Sequence, residues 1–191
     1  MKTVELKGTT RSAIGKSAMK KIRRAGNVPA VVYGQGEPTA VAVDFQAMTK
    51  VLHSPETYVV KLDLEGNTTT AIVREVQYHP VTDKVLHVDF LRVTDSEAVE
   101  VDLPIKLVGT AKGVLAGGRL VPMLRKLKVR GLVNELPDNV EVDISGLEMG
   151  KTFRVGEIPV SGLTITSPAP AGVAIIEIPR AVRQAEEAAK K

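Results

Sequence analysis

The chain has 191 residues, 43% of them hydrophobic and 25% charged, enough apolar material for one large or two small buried cores and too much for a disordered tail. Its longest apolar runs, residues 28–33 and 172–178, fall far short of the roughly 20 residues that cross a bilayer, and Met1-Lys2 opens no apolar signal core, so a soluble, unexported protein is expected. With no cysteine and a net charge of +4, disulfide frameworks and thiolate metal sites are excluded and the cytoplasm is the expected compartment.

In chain order, residues 3–8 alternate apolar and polar positions as a strand does. Residues 16–25 lack β-branched side chains except Ile22, have Ser12 or Ser17 as an N-cap and Gly26 as a C′ residue, and predict a short helix. Alternation resumes at residues 30–33 and 40–44, and Asp44 then caps a second short helix over 46–53. Strands at 58–64, 70–77 and 85–93 follow, with Glu65-Gly66-Asn67 as a hairpin signal. This half reads as a β-meander or small barrel. The polar, acidic Thr94-Asp95-Ser96-Glu97 marks a boundary, giving domains at 1–93 and 94–179. Strand patterns at 99–108, 120–131, 139–144, 152–155, 163–166 and 173–178 make the second domain all β. Residues 180–191 form a short charged tail, helical by composition but without an apolar stripe.

Enzymatic signatures are weak. The run Gly113-Val114-Leu115-Ala116-Gly117-Gly118-Arg119 lacks the Lys-Ser/Thr of a phosphate-binding loop, and Tyr33-Gly34-Gln35-Gly36 lacks the third glycine of a dinucleotide fingerprint. Ser145 and Ser161 stand in strand-end turns rather than in a nucleophile elbow. The one catalytic alternative is an RNA-cleaving or RNA-modifying enzyme using His79, His87 and Asp89 beside Lys84. His87 and Asp89, spaced i, i+2 on a strand, share a face, and such a face on a basic protein more often hydrogen-bonds a partner. The same residues lack the second shell of a metal site. Neither a catalytic residue nor a metal or cofactor is therefore expected.

Charge gives the stronger signal. Residues 1–93 carry 13 Lys+Arg against 9 Asp+Glu, and residues 94–191 carry 13 of each, so all the excess lies in the first half. Lys16, Lys20, Arg23 and Arg24 fall at i, i+4, i+7 and i+8 and project from one helix side, with Ala18, Ile22 and Ala25 on the other. Like charges at i, i+4 destabilise an isolated helix by about 0.2–0.5 kcal/mol per pair, so their clustering points to a polyanion. A membrane would require an apolar face with aromatic anchors, which this segment lacks. Aromatics make up only 3% of residues, which favours a folded, double-helical RNA over stacked single strands.

The residues also resemble a known family. Thr10-Arg11, the run Ile22-Arg23-Arg24-Ala25-Gly26-Asn27-Val28-Pro29-Ala30-Val31-Val32-Tyr33-Gly34, then Glu75-Val76-Gln77-Tyr78-His79-Pro80 and Leu86-His87-Val88-Asp89-Phe90 are similar to bacterial large-subunit ribosomal protein twenty-five. Gly109-Thr110-Ala111-Lys112-Gly113-Val114 and Glu141-Val142-Asp143-Ile144-Ser145-Gly146-Leu147 extend the likeness to its long two-domain CTC form, general stress protein CTC. The resemblance implies a mainly β protein: a six-stranded barrel with short helices that binds the loop E region of 5S rRNA on its minor-groove side, then a β-domain on the large subunit. It also implies an RNA-binding set of Arg11, Arg23, Arg24, Tyr33, His87 and Asp89, to which the charge reading adds Lys16, with 5S rRNA and other large-subunit components as partners. An acidic residue suits such a set because a carboxylate accepts hydrogen bonds from base amino groups.

Overall fold

The computed structural model describes residues 1–13, 15–159 and 162–179; the expected helical tail at 180–191 lies outside them. Six strands, β1 (Lys2–Thr10), β2 (Asn27–Tyr33), β3 (Thr39–Asp44), β4 (Tyr58–Leu64), β5 (Asn67–Tyr78) and β6 (Val85–Arg92), close into a barrel in the order β1-β3-β2-β6-β5-β4. Two of its seams are parallel: Lys2 pairs with Tyr58 and Ala30 with Val88. Alternation sends Leu6, Val32, Leu62, Val88 and Phe90 inward, where each is almost wholly buried with Met48 of α2 (Phe45–Leu52). Closure leaves this sheet without an open edge.

Local chemistry sets the connections. The Asp44 carboxylate accepts from the Ala47 amide at 3.2 Å and caps α2, as its sequence position implies. Between β4 and β5 the two turn residues Glu65 and Gly66 have φ of 54° and 93°, and Leu64 pairs with Asn67, the paired left-handed geometry of a two-residue hairpin. The helix α1 (Lys16–Arg24) ends on Gly26 at φ 85°, also as expected. Its start differs. Gly15, at φ 117°, occupies the N-cap position, and no side chain caps the helix, so neither Ser12 nor Ser17 does so.

Among the described residues, 1–101 and 131–138 make one compact unit, and 102–130 with those between 139 and 179 make another. The strand β7 (Ala98–Val108) runs from the first into the second. In the second unit one sheet has the order β10 (Val140–Asp143), β7, β9 (Lys126–Leu132), β12 (Thr164–Ile165), and another has β11 (Thr152–Arg154), β13 (Gly172–Glu177), β8 (Arg119–Pro122). Leu103, Leu127, Val129, Val142, Val173 and Ile176 are buried there. The continuous strand expected over 120–131 is instead two, β8 and β9, in different sheets. The Met123 and Leu124 amides both turn to the Val173 carbonyl, at 2.9 and 3.1 Å, and break the ladder between them. The glycine run expected as a turn begins with one helical turn, α3 (Lys112–Leu115). After β7, a Cβ on Gly109, at φ 86°, would stand 2.2 Å from Ser145 Oγ and 2.8 Å from Asp143 Oδ1, so only glycine fits. The Ser145 hydroxyl and amide, donating to Asp143, hold that carboxyl below its ordinary range.

Candidate nucleic-acid interface

The helix α1 lies against β2. Pro29 and Ala42 point outward by strand alternation yet are buried, so α1 covers the outer face of β2 and β3 at that level. Its half-buried side is Ala18, Met19 and Ile22, and Ala25, expected on the packed side, is exposed. Lys16, Lys20, Lys21, Arg23 and Arg24 are exposed. The Arg23 Nε donates to the Leu86 carbonyl at 3.0 Å and ties the helix end to β6. Among the described residues no carboxylate pairs with Lys16, Lys20, Lys21 or Arg24. The helix thus carries uncompensated like charge at i, i+4. Lys21, Arg23 and Arg24 in its last turn complement the helix dipole, whereas Lys16 in the first opposes it.

Beside α1 on the same outer face, His87 Nδ1 stands 2.7 Å from Asp89 Oδ1, both side chains partly shielded. In neutral imidazole this contact places the hydrogen on Nδ1 and leaves Nε2 as an acceptor. Across the parallel seam Val31 sits opposite Asp89 and Tyr33 opposite Leu91, so Tyr33, half-exposed, borders the pair. Across the antiparallel seam Gln77 pairs with His87 and Glu75 with Asp89. Sequence reasoning did not single out Gln77 and Glu75, because β5 shifts register between Val73 and Glu75 and again between Gln77 and Tyr78. Strand alternation alone therefore gives no cross-strand partner.

Arg11 has a different environment from the other cations. Its Nε donates to the Val41 carbonyl at 3.2 Å, and its terminal nitrogens reach toward the Ala13 and Ala30 carbonyls and Met19. Most of its donors face the protein, where they fasten the segment leading into α1 onto β2 and β3. His79 is likewise occupied: its Nδ1 accepts from the Val81 and Thr82 amides, at 3.2 Å each, and orders the turn between β5 and β6. The structure thus pairs His87 with Asp89 and sets His79 to a separate task. No group of three potential metal ligands occurs among the described residues.

Residues 6–90 match the model of the Ribosomal L25p family, and residues 98–180 match that of Ribosomal protein TL5, C-terminal domain. A protein named large ribosomal subunit protein bL25 from Porphyromonas gingivalis is 44% identical over 187 residues, covering 97% of each chain. Proteins of the same name from Bacteroides thetaiotaomicron and Amoebophilus asiaticus are 40% and 38% identical, covering 100% of both chains and 96% and 93% of this chain and the relative, respectively.

Proposed function

The chain belongs to the ribosomal L25p family of structural, non-enzymatic proteins of the large ribosomal subunit, and from that premise we propose that its barrel binds the loop E region of 5S rRNA. The observation that carries this reading is the meeting, on one outer face, of the unneutralised helix α1 with the His87–Asp89 pair. The two parts suit different chemistry. Lys16, Arg23 and Arg24 hold phosphates, which position the protein without reading sequence. Asp89, Glu75 and His87 Nε2 are acceptors, matched to the donors of an RNA minor groove: 2′-hydroxyls and the guanine amino group. Tyr33 packs at the edge of that contact, and Arg11 acts mainly by fixing the approach to α1. Residues 1–93 carry the RNA grip, and residues 94–179 face other large-subunit components. As a ribosomal component the protein works in the cytoplasm.

Arg24→Ala and Asp89→Ala separate the two kinds of contact. With about four to six phosphates engaged, log K should fall against log salt with a slope of roughly −3 to −5. Arg24→Ala should weaken loop E and a scrambled duplex alike and lessen that slope by about one unit. Asp89→Ala should cost about 1–3 kcal/mol on loop E and leave the scrambled duplex unchanged or slightly tighter, since a negative charge is lost. Titrations at two salt concentrations read both effects. Equal weakening of both RNAs by Asp89→Ala would return Asp89 to a structural role.

A further inference from the structure

A cavity of about 300 Å³ opens at one mouth of the barrel, between the end of α1, the start of α2 and the β5–β6 turn. Arg23, Phe45, His79, Thr82 and Lys84 are among its lining residues, and none of the lining side chains is acidic. The volume lies at the lower end of the roughly 300–1,000 Å³ typical of small-molecule sites. Its wall is largely apolar and its charged groups are cations, a combination suited to a flat aromatic ring bearing a phosphate. Phe45 supplies an aromatic surface. Because His79 Nδ1 accepts two amide hydrogens, its hydrogen lies on Nε2, which offers the cavity a donor.

The rim points the same way. The described large hydrophobic residues of the barrel unit that are exposed are Phe45 at 38%, Tyr78 at 49% and Val81 at 82%; Phe45 lines the cavity, and Tyr78 and Val81 adjoin its lining residues His79 and Thr82 in the chain. The turn bearing Val81 is closed by backbone bonds: the His79 amide donates to the Lys84 carbonyl at 2.8 Å, the Asp83 amide to the His79 carbonyl at 3.0 Å, and Asp83 adopts φ 51°. Arg23 belongs both to this cavity and to the cationic helix, so the site continues the surface already assigned to RNA.

Resting on the RNA-binding reading of the barrel, we propose that this cavity is a nucleotide subsite, in which one unstacked nucleotide of the bound RNA places its base against Phe45 and its phosphate on Lys84 and Arg23. Extruding a base is cheapest where it is already unpaired or mispaired, so the subsite selects an irregular RNA helix over a regular one.

The chain has no tryptophan, so Phe45→Trp in the full-length protein gives a single emission reporter in the cavity. Addition of 5S rRNA should quench that emission and shield it from acrylamide. Millimolar adenosine 5′-monophosphate should quench it saturably, and inorganic phosphate alone should not. Lys84→Glu in the same background should abolish the nucleotide response and weaken 5S rRNA binding by roughly tenfold, the scale of turning one phosphate-neutralising cation into an anion. Unchanged emission on an RNA that a gel shift shows to be bound overturns the subsite and leaves the RNA-binding reading standing. No shift with 5S rRNA overturns that reading and the subsite with it. Quenching by the free nucleotide but not by bound RNA overturns the assignment to RNA in favour of a free nucleotide.

Discussion

Replacing Lys16, Lys20, Lys21 and Arg24 together by glutamine should lower 5S rRNA affinity by two to three orders of magnitude near physiological salt. If each cation neutralises one phosphate, each contributes about 0.6–0.7 log units at roughly 0.15 M salt, and four together remove about three units from the salt slope. Arg23 is left in place because its Nε bond to Leu86 anchors the helix end. The exposed side chains being replaced bury nothing, and the repulsion relieved offsets the helix-dipole contributions lost at Lys21 and Arg24, so circular dichroism should show no loss of structure. Filter binding from low to high salt gives the decisive reading: wild type and variant curves should converge as salt rises. Parallel curves would mean that α1 does not touch phosphate.

Phe90→Ala should destabilise the barrel by about 3–5 kcal/mol, the usual cost of emptying a large buried aromatic position. Phe90, on β6 and opposite Val32 across the parallel β2–β6 seam, has no solvent exposure and lies in the core cluster. It also sits next to Asp89, so a collapsing core displaces the proposed recognition face. The urea midpoint should fall, and specific RNA binding should fall with it at concentrations where the variant begins to unfold. Val81→Ala, at an 82% exposed position, should stay within about 0.5 kcal/mol of the wild type. Equal midpoints for Phe90→Ala and Val81→Ala would remove Phe90 from the core.

The elements that could be read in the sequence were those whose signals are local. Asp44 announces α2, Gly26 ends α1, and Glu65-Gly66 forms the hairpin, each within a few residues of the structure it controls. The barrel itself followed from alternation together with family likeness. Less legible were features settled by distant residues. The sheet order depends on the Lys2–Tyr58 and Ala30–Val88 seams, which no short window encodes. The split of 120–131 depends on the Val173 carbonyl. Met19 replaces Ala25 on the packed side of α1 because β2 sets how the helix lies. At the candidate site, the His87–Asp89 pairing follows from i, i+2 spacing, whereas the nearness of Gln77 and Glu75 depends on two irregularities of β5 that leave no sequence mark.

The two parallel seams also govern the order in which the surface comes into being. Each joins strands more than fifty residues apart, and such non-local pairing is slow because a long loop must be ordered before contact rewards it. The hairpins β2–β3 and β4–β5 form early; β6 takes its place beside β2 only after the whole of residues 34–84 has been accommodated. The cations of α1 are present in the chain from the start, whereas His87 and Asp89 reach their place beside α1 only when that last seam closes. On the proposed RNA-binding reading, an unfinished chain would attract RNA without discrimination and only the closed barrel would tell one RNA from another, so selectivity itself would report that folding is complete.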